Sequence, residues 1–217
     1  MILLQCWDDG VTADASLLDI LRKHRAKATF NLCAGTHDKT RRHSWDYRGT
    51  EVWKLGLDEM PDLYAGFTIA NHSLTHPHLD RLPIAQARRE IAHGRERLQK
   101  IFKNQEVLGF AYPFGTYTEA VKEAVREAGH VYARTCVNVD FPVPPADPME
   151  FHPNCHFLAP DFWERYERAK AGGVFYFWGH SYELLTPEMW AAFDAQIARL
   201  SSEKDATWGE LYDVFYL

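Results

Sequence analysis

Short apolar runs alternate with amphipathic stretches along almost the whole chain, and this rhythm narrows the fold to α/β with mostly parallel strands. Strands are expected at residues 1–7, 28–32, 67–70, 107–112, 131–137 and 174–178. Thr12 is placed as an N-cap for a helix whose one apolar face carries Leu17, Leu18 and Leu21. Pro83 opens the clearest helix, with Ile84, Ala87, Ile91, Leu98 and Phe102 on one side. A further helix ends at Gly129, another spans about 162–170, and Thr186-Pro187-Glu188 starts one carrying Trp190, Phe193, Ile197 and Leu200. Two segments lack any period. Residues 36–62 are rich in charge and aromatics and read as an inserted loop or short helix over one barrel end, and residues 138–160 read as a long proline-rich loop.

With 217 residues and no linker or repeat, the expectation is one domain covering residues 1–217. Six or seven βα units of this length fit a small, incomplete barrel better than the eight-unit form, which usually needs about 250 residues. Chemistry in such folds gathers where strands end and loops begin. The net charge of −6, without a basic run, excludes the electrostatic footprint of a nucleic-acid binder. No apolar stretch approaches membrane-spanning length. Cys6, Cys33, Cys136 and Cys155 have no paired spacing, and no leader-length segment precedes Asp8; the expectation is reduced thiols and a cytoplasmic location.

Asp8-Asp9-Gly10 closes the first strand, and Gly10 permits the turn that lets the two carboxylates face different ways. His72 and His76 follow the third strand, four apart, a spacing that puts both imidazoles on one side of a helical turn. Taken singly, the Asp-Gly pair is a common turn and each His a common polar residue. In combination, one Asp and two His after strand ends leave a metal position open for water and substrate, as hydrolytic chemistry requires.

Cys6-Trp7-Asp8-Asp9-Gly10 resembles the first motif of the polysaccharide deacetylases (carbohydrate esterase family 4, the NodB-homology domain), usually Thr-Phe-Asp-Asp-Gly. His72-Ser73-Leu74-Thr75-His76 resembles the second, Ala111-Tyr112-Pro113-Phe114-Gly115 the third, and Trp178-Gly179-His180 the fifth, in family order. The resemblance implies a distorted, incomplete (β/α)7 barrel, TIM-barrel-like, that removes acetyl groups from N-acetylated or sometimes O-acetylated sugars. It implies one divalent ion on Asp9, His72 and His76, with zinc the default for this ligand set and cobalt, nickel or manganese as alternatives. Asp8 would be the base, the amide of Tyr112 an oxyanion donor, and His180 the acid that protonates the departing amine. Trp7, Pro113, Phe114, Tyr117, Trp178 and Tyr182 stand near the motifs and are candidates to stack on a sugar ring.

Two departures stand out. The third-motif Arg is Ala111, and the fourth motif is not recognisable, Asn138-Val139-Asp140-Phe141 being a poor substitute. Arg134, on the next strand, is the candidate replacement, expected to fork onto Asp8. His152, Cys155 and His156 form a second ligand-like cluster, read as a loop lining the cleft rather than as a second metal site. Three alternatives stay open. A small cyclic amide or ureide would suit a cytoplasmic enzyme without the usual Arg. A silent sugar-binding relative would not need Asp8 and His180. An iron facial triad fits poorly, because here the His residues are paired and the Asp is distant.

Overall fold

The computed structural model describes residues 1–215. In chain order the elements are β1 (Ile2–Asp8), α1 (Asp14–Lys23), β2 (Thr29–Leu32), β3 (Arg42–Tyr47), β4 (Thr50–Lys54), α2 (Met60–Leu63), β5 (Thr68–Asn71), α3 (Ile84–Ile101), β6 (Gly109–Ala111), α4 (Glu119–Glu127), β7 (Tyr132–Arg134), β8 (Cys155–His156), α5 (Phe162–Ala169), β9 (Val174–Gly179), α6 (Pro187–Ser202) and β10 (Thr207–Trp208). One sheet runs in the order β7-β6-β5-β2-β1-β9-β8, every neighbouring pair parallel, and β10 lies beside the start of β1. The sheet curls into a half-barrel with helices outside it. At the β7 edge, Phe151, in the segment leading to β8, makes one isolated parallel bridge: its amide donates to the Ala133 carbonyl at 2.9 Å, and the Thr135 amide donates to the Phe151 carbonyl at 3.1 Å.

Period-two alternation decides what faces the barrel interior. On β1, Leu3 and Trp7 pack with Phe175, Phe177 and the helices, while Leu4 and Cys6 pack with Tyr132, Phe151 and Tyr176 inside. Asp8 shares the inward parity of Leu4 and Cys6. On β9, Tyr176 and Trp178 turn inward and Phe175 and Phe177 outward, and on β7 Tyr132 turns inward.

The structure corrects several local expectations. Residues 42–54 form an antiparallel β-hairpin outside the barrel, not a loop or short helix. Its alternation is masked because exposed and aromatic residues occupy both faces. The 138–160 segment contains β8, too short to show a period. Thr12 does not cap α1, whose N-cap is Ala13, without a side-chain hydrogen bond. Thr186 does cap α6, its hydroxyl accepting from the Met189 amide at 3.3 Å. Among the described residues no helix is long and apolar enough to cross a membrane, and all four cysteines are free thiols.

The helix that most directly shapes the site is α3. Gly94 falls on its buried stripe with Ala87, Ile91 and Leu98, and a Cβ there would stand 2.5 Å from Asn71 Oδ1 and 2.8 Å from the Ser73 carbonyl carbon. Glu90, one turn earlier, accepts from the Thr75 amide at 2.8 Å and the Thr75 hydroxyl at 2.9 Å. The segment bearing His72 and His76 therefore lies directly on α3.

Candidate active site

Asp8, Asp9, His72, His76, Tyr112, Phe114, Arg134, Cys136, Trp178, His180 and Tyr182 line one cavity of about 350 Å³ at the C-terminal ends of the strands. Asp9 sits in the left-handed region at φ 84°, followed by Gly10 at φ 67°. That turn swings the Asp9 carboxylate away from the course of β1 while Asp8 stays on the strand. His72 and His76 are not on a helical turn. Ser73 and His76 are themselves left-handed, at φ 64° and 62°, and fold the segment so that the two Nε2 atoms stand 3.1 Å apart.

His72 Nδ1 donates to the Ala111 carbonyl at 2.8 Å, which leaves Nε2 as the lone-pair nitrogen. Burial pushes the His72 pKa down to about 4 against the pull of Asp8, so the ring is neutral at pH 7. His76 is lowered for the same first reason, burial. The Asp9 carboxylate is 3.9 Å from His76 Nε2, and the three ligand atoms of Asp9, His72 and His76 all lie within 4.8 Å of one another. Ligand atoms about 2.0–2.1 Å from one tetrahedral zinc stand roughly 3.3–3.4 Å apart, so neutral imidazoles with free lone pairs at this spacing fit such an ion.

Asp8 is 2% exposed. It accepts from the Asn31 amide at 2.7 Å and from the Arg134 guanidinium. Burial raises its pKa, but Arg134, His72, His180 and the Asn31 hydrogen bond together pull it below the ordinary carboxylate range. Arg134 lies across the β6–β7 ladder from Ala111, at the same rung. Cross-strand partners point the same way, so the guanidinium arrives from the neighbouring strand where the small Ala111 leaves room. The grip is single, not the fork expected: Nη2 goes to Asp8, Nη1 to Cys136 Sγ at 3.2 Å, and Nε has no partner among the described residues. The Trp178 ring lies over the guanidinium, 4.8 Å from ring centre to Cζ.

His180 faces both carboxylates, its Nε2 3.8 Å from Asp8 and 4.0 Å from Asp9. Its Nδ1 is 3.2 Å from Glu183, whose same oxygen is 2.8 Å from His156 Nε2. Burial lowers the His180 pKa, but Glu183 and the two aspartates outweigh it and the net shift is upward.

Three of the expected substrate residues are elsewhere. Trp7 is fully buried on the helical side against Phe157 and Phe193, because alternation sends it opposite to Asp8. Pro113 is buried at the start of its turn, and Tyr117 stacks on Tyr112 outside the cavity lining. Phe114, Trp178 and Tyr182 do line the cavity. The Tyr112 amide is spent on the Arg134 carbonyl at 3.1 Å. Among the described residues, the amide without a backbone partner in that turn is that of Phe114, left-handed at φ 59°.

His152, Cys155 and His156 diverge. His152 bonds Thr135 at 2.6 Å, Cys155 is buried in the core, and His156 reaches Glu183. Asp140 pairs outward with Arg168 at 3.4 Å. Residues the sequence reading did not single out are Asn31, Lys54, Cys136 and Glu183. Of these only Glu183 left a signal, an acid three residues after a site His, the spacing at which short helical turns are capped.

A comparison with curated proteins found no match. Among solved structures, the family 4 carbohydrate esterase of Streptomyces lividans, in complex with acetate, is 18% identical, with 96% of this chain and 91% of that one covered and a TM-score of 0.61. The wild-type family 4 pseudoenzyme of Bacillus anthracis is 17% identical over 98% of this chain and 64% of its own, at 0.60. A Streptococcus pyogenes deacetylase, also with acetate, is 23% identical at 0.52, over 62% of this chain; the chain spans 55% of that protein. At these identities the likeness is one of fold. A family model described as polysaccharide deacetylase matches residues 2–133, which include the first three motifs and stop just short of Arg134. This chain belongs to the polysaccharide deacetylase family.

Proposed function

We propose that the chain is a metal-dependent hydrolase that removes acetyl groups from an N-acetylated, less readily an O-acetylated, sugar or oligosaccharide. The reading rests above all on one observation: the Asp8 carboxylate and His180 Nε2 face each other at 3.8 Å beside the Asp9, His72 and His76 ligand atoms.

Asp9, His72 and His76 would hold the ion, with zinc the default for two nitrogens and one carboxylate. When bound, such an ion acidifies a water to a pKa near 7 and polarises the acyl carbonyl, which matters here because a carboxylate held as low as Asp8 is a weak base toward ordinary water. Arg134 and Asn31 keep Asp8 oriented and ionised while it takes the proton of the attacking water. The Phe114 amide offers a donor to the oxyanion that forms as water adds to the acyl carbon. The C–N bond then breaks as His180, its Nδ1 held by Glu183, gives its proton to the departing amine, which is a poor leaving group otherwise. Phe114, Trp178 and Tyr182 present flat surfaces suited to a sugar ring.

The test combines elemental analysis with acetate release from a panel of N-acetylated sugars, O-acetylated sugars and small cyclic amides. About one divalent ion per chain, lost in His72→Ala and His76→Ala, with turnover on N-acetylated sugars, is the expected result. Full metal content in both variants would sink the ligand assignment. Turnover confined to the small amides would replace the substrate class, and metal uptake with no turnover on any substrate would point to a silent relative.

A further inference from the structure

We infer that Lys54 is a positioning residue for Asp9, which makes the β3–β4 hairpin part of the metal centre; the inference rests on the reading of Asp9 as a metal ligand. Asp9 and Gly10 are consecutive left-handed residues, and their carbonyls are turned out of the β1 ladder. Asp9 is 8% exposed, so its carbonyl needs a partner within the protein. That partner is the Lys54 ammonium, 2.5 Å from the Asp9 carbonyl oxygen. The hairpin's outgoing strand fastens the rest of the turn. The Leu55 amide donates to the Gly10 carbonyl at 3.2 Å, the Thr12 amide donates to the Trp53 carbonyl at 2.8 Å, and Val11 bridges to Lys54.

The ammonium stands 3.7 Å from the Asp9 carboxylate, too far for a hydrogen bond. It grips the backbone of the ligand residue and leaves the carboxylate oxygens unclaimed, 3.9 Å from His76 and 4.0 Å from His180. Lys54 is itself buried, with its ammonium 5.1 Å from the Trp45 ring centre. A fixed positive charge here repels a dication, so charge alone would weaken metal binding. Orientation acts the other way: groups that hold a ligand residue in place typically contribute 10- to 100-fold in metal affinity. Here orientation outweighs repulsion.

Zinc affinity of the 217-residue chain, measured by competition with a chromophoric chelator, separates the two. Lys54→Met keeps an unbranched stem under Trp45 and removes the ammonium. It should bind zinc about 10-fold or more weakly while its metal-free melting curve shows it folded at the assay temperature. Trp53→Ala, an exposed position on the same strand, should stay within about two-fold of the unmodified chain. If Lys54→Met does not fold, Lys54→Ala, which also removes the donor but leaves room for water at the Asp9 carbonyl, takes its place with the same direction expected. Unchanged affinity in a folded variant overturns the assignment, and so does tighter binding, which would show repulsion to be the larger effect. No zinc uptake by the unmodified chain overturns both this inference and the function proposed above, whereas a variant that binds like the unmodified chain overturns this inference alone.

Discussion

Asp8 and Arg134 are a buried ion pair, and each is costly without the other. Asp8 is 2% exposed and Arg134 1%, so neither can recover hydration when its partner is removed. Arg134→Met should therefore destabilise the fold by about 3–5 kcal/mol, read as a lower urea midpoint. Adding Asp8→Asn should restore much of that loss, because the uncompensated charge goes with it. Losses that simply add would mean the two do not act as a pair. Asp8→Asn alone should keep its metal, since Asp9 is the ligand, and lose about 10²–10⁴-fold in turnover. Loss of the metal in that variant would move Asp8 from base to ligand. Arg134→Lys should keep the charge, the metal and the fold but lose turnover, because an ammonium cannot hold both the Asp8 carboxylate and Cys136 Sγ from one rigid plane.

The elements that carry the ligands are held in place by elements that carry none. Helix α3 shows this at Gly94. A Gly→Ala change inside a helix usually stabilises by about 0.5–1 kcal/mol. Here the added Cβ would stand 2.5 Å from Asn71 Oδ1 and 2.8 Å from Ser73 backbone, which cannot yield without moving His72 and His76. Gly94→Ala should thus reverse the usual sign, lowering the melting temperature by an amount equivalent to about 1–3 kcal/mol and weakening zinc binding. A stabilised variant with unchanged zinc affinity would show that the helix can lift off the ligand loop at no cost. The hairpin makes a comparable contribution from the other side: Trp45 and Tyr47 of β3 stack edge-on against Tyr182, 5.2 and 5.0 Å between ring centres, so a wall of the cavity is itself supported from outside the barrel.

At the scale of the molecule, Asp14 joins three distant stretches of chain beneath the site. Ser181, next to His180, donates to one oxygen at 2.5 Å, and Tyr64, just past α2, donates to the other. Burial raises the Asp14 pKa to about 6 even though both hydroxyl bonds work to lower it. The folded state then binds a proton more tightly than the unfolded chain, whose carboxylate titrates at about 3.9. Stability from this group is fully present below that value and lost as pH rises toward about 6, a change on the order of 3 kcal/mol. Asp14→Asn cannot titrate there. The stability difference between the original chain and Asp14→Asn should therefore move against the original between about pH 4 and pH 6, and urea midpoints across that range measure it. A difference that stays flat would place the Asp14 pKa at its ordinary value.

What the sequence determined by itself is local in origin. The alternation of strands and helices, the placement of Asp8, Asp9, His72, His76 and His180 after strand ends, and the Thr186 cap follow from patterns a few residues long, and the family motifs add their order. Arg134 could be named as a candidate because its strand follows the Ala111 unit. Contacts between distant segments decided the rest. Only the β6–β7 register could put Arg134 on the rung of Ala111, and only the strand parity of β1 could send Trp7 to the helical side while Asp8 faces inward. The left-handed turns at Asp9, Ser73 and His76 are only weakly marked by residue type, Asp and His entering that region more often than most, and surrounding structure holds them: Lys54 at Asp9, and Glu90 and Gly94 at the His72 segment. The β3–β4 hairpin hid for the same reason. Its strands bury little of their own surface, so their sequence carries no clean alternation, and their place is fixed by hydrogen bonds to the Asp9–Thr12 turn that only the folded chain brings within reach.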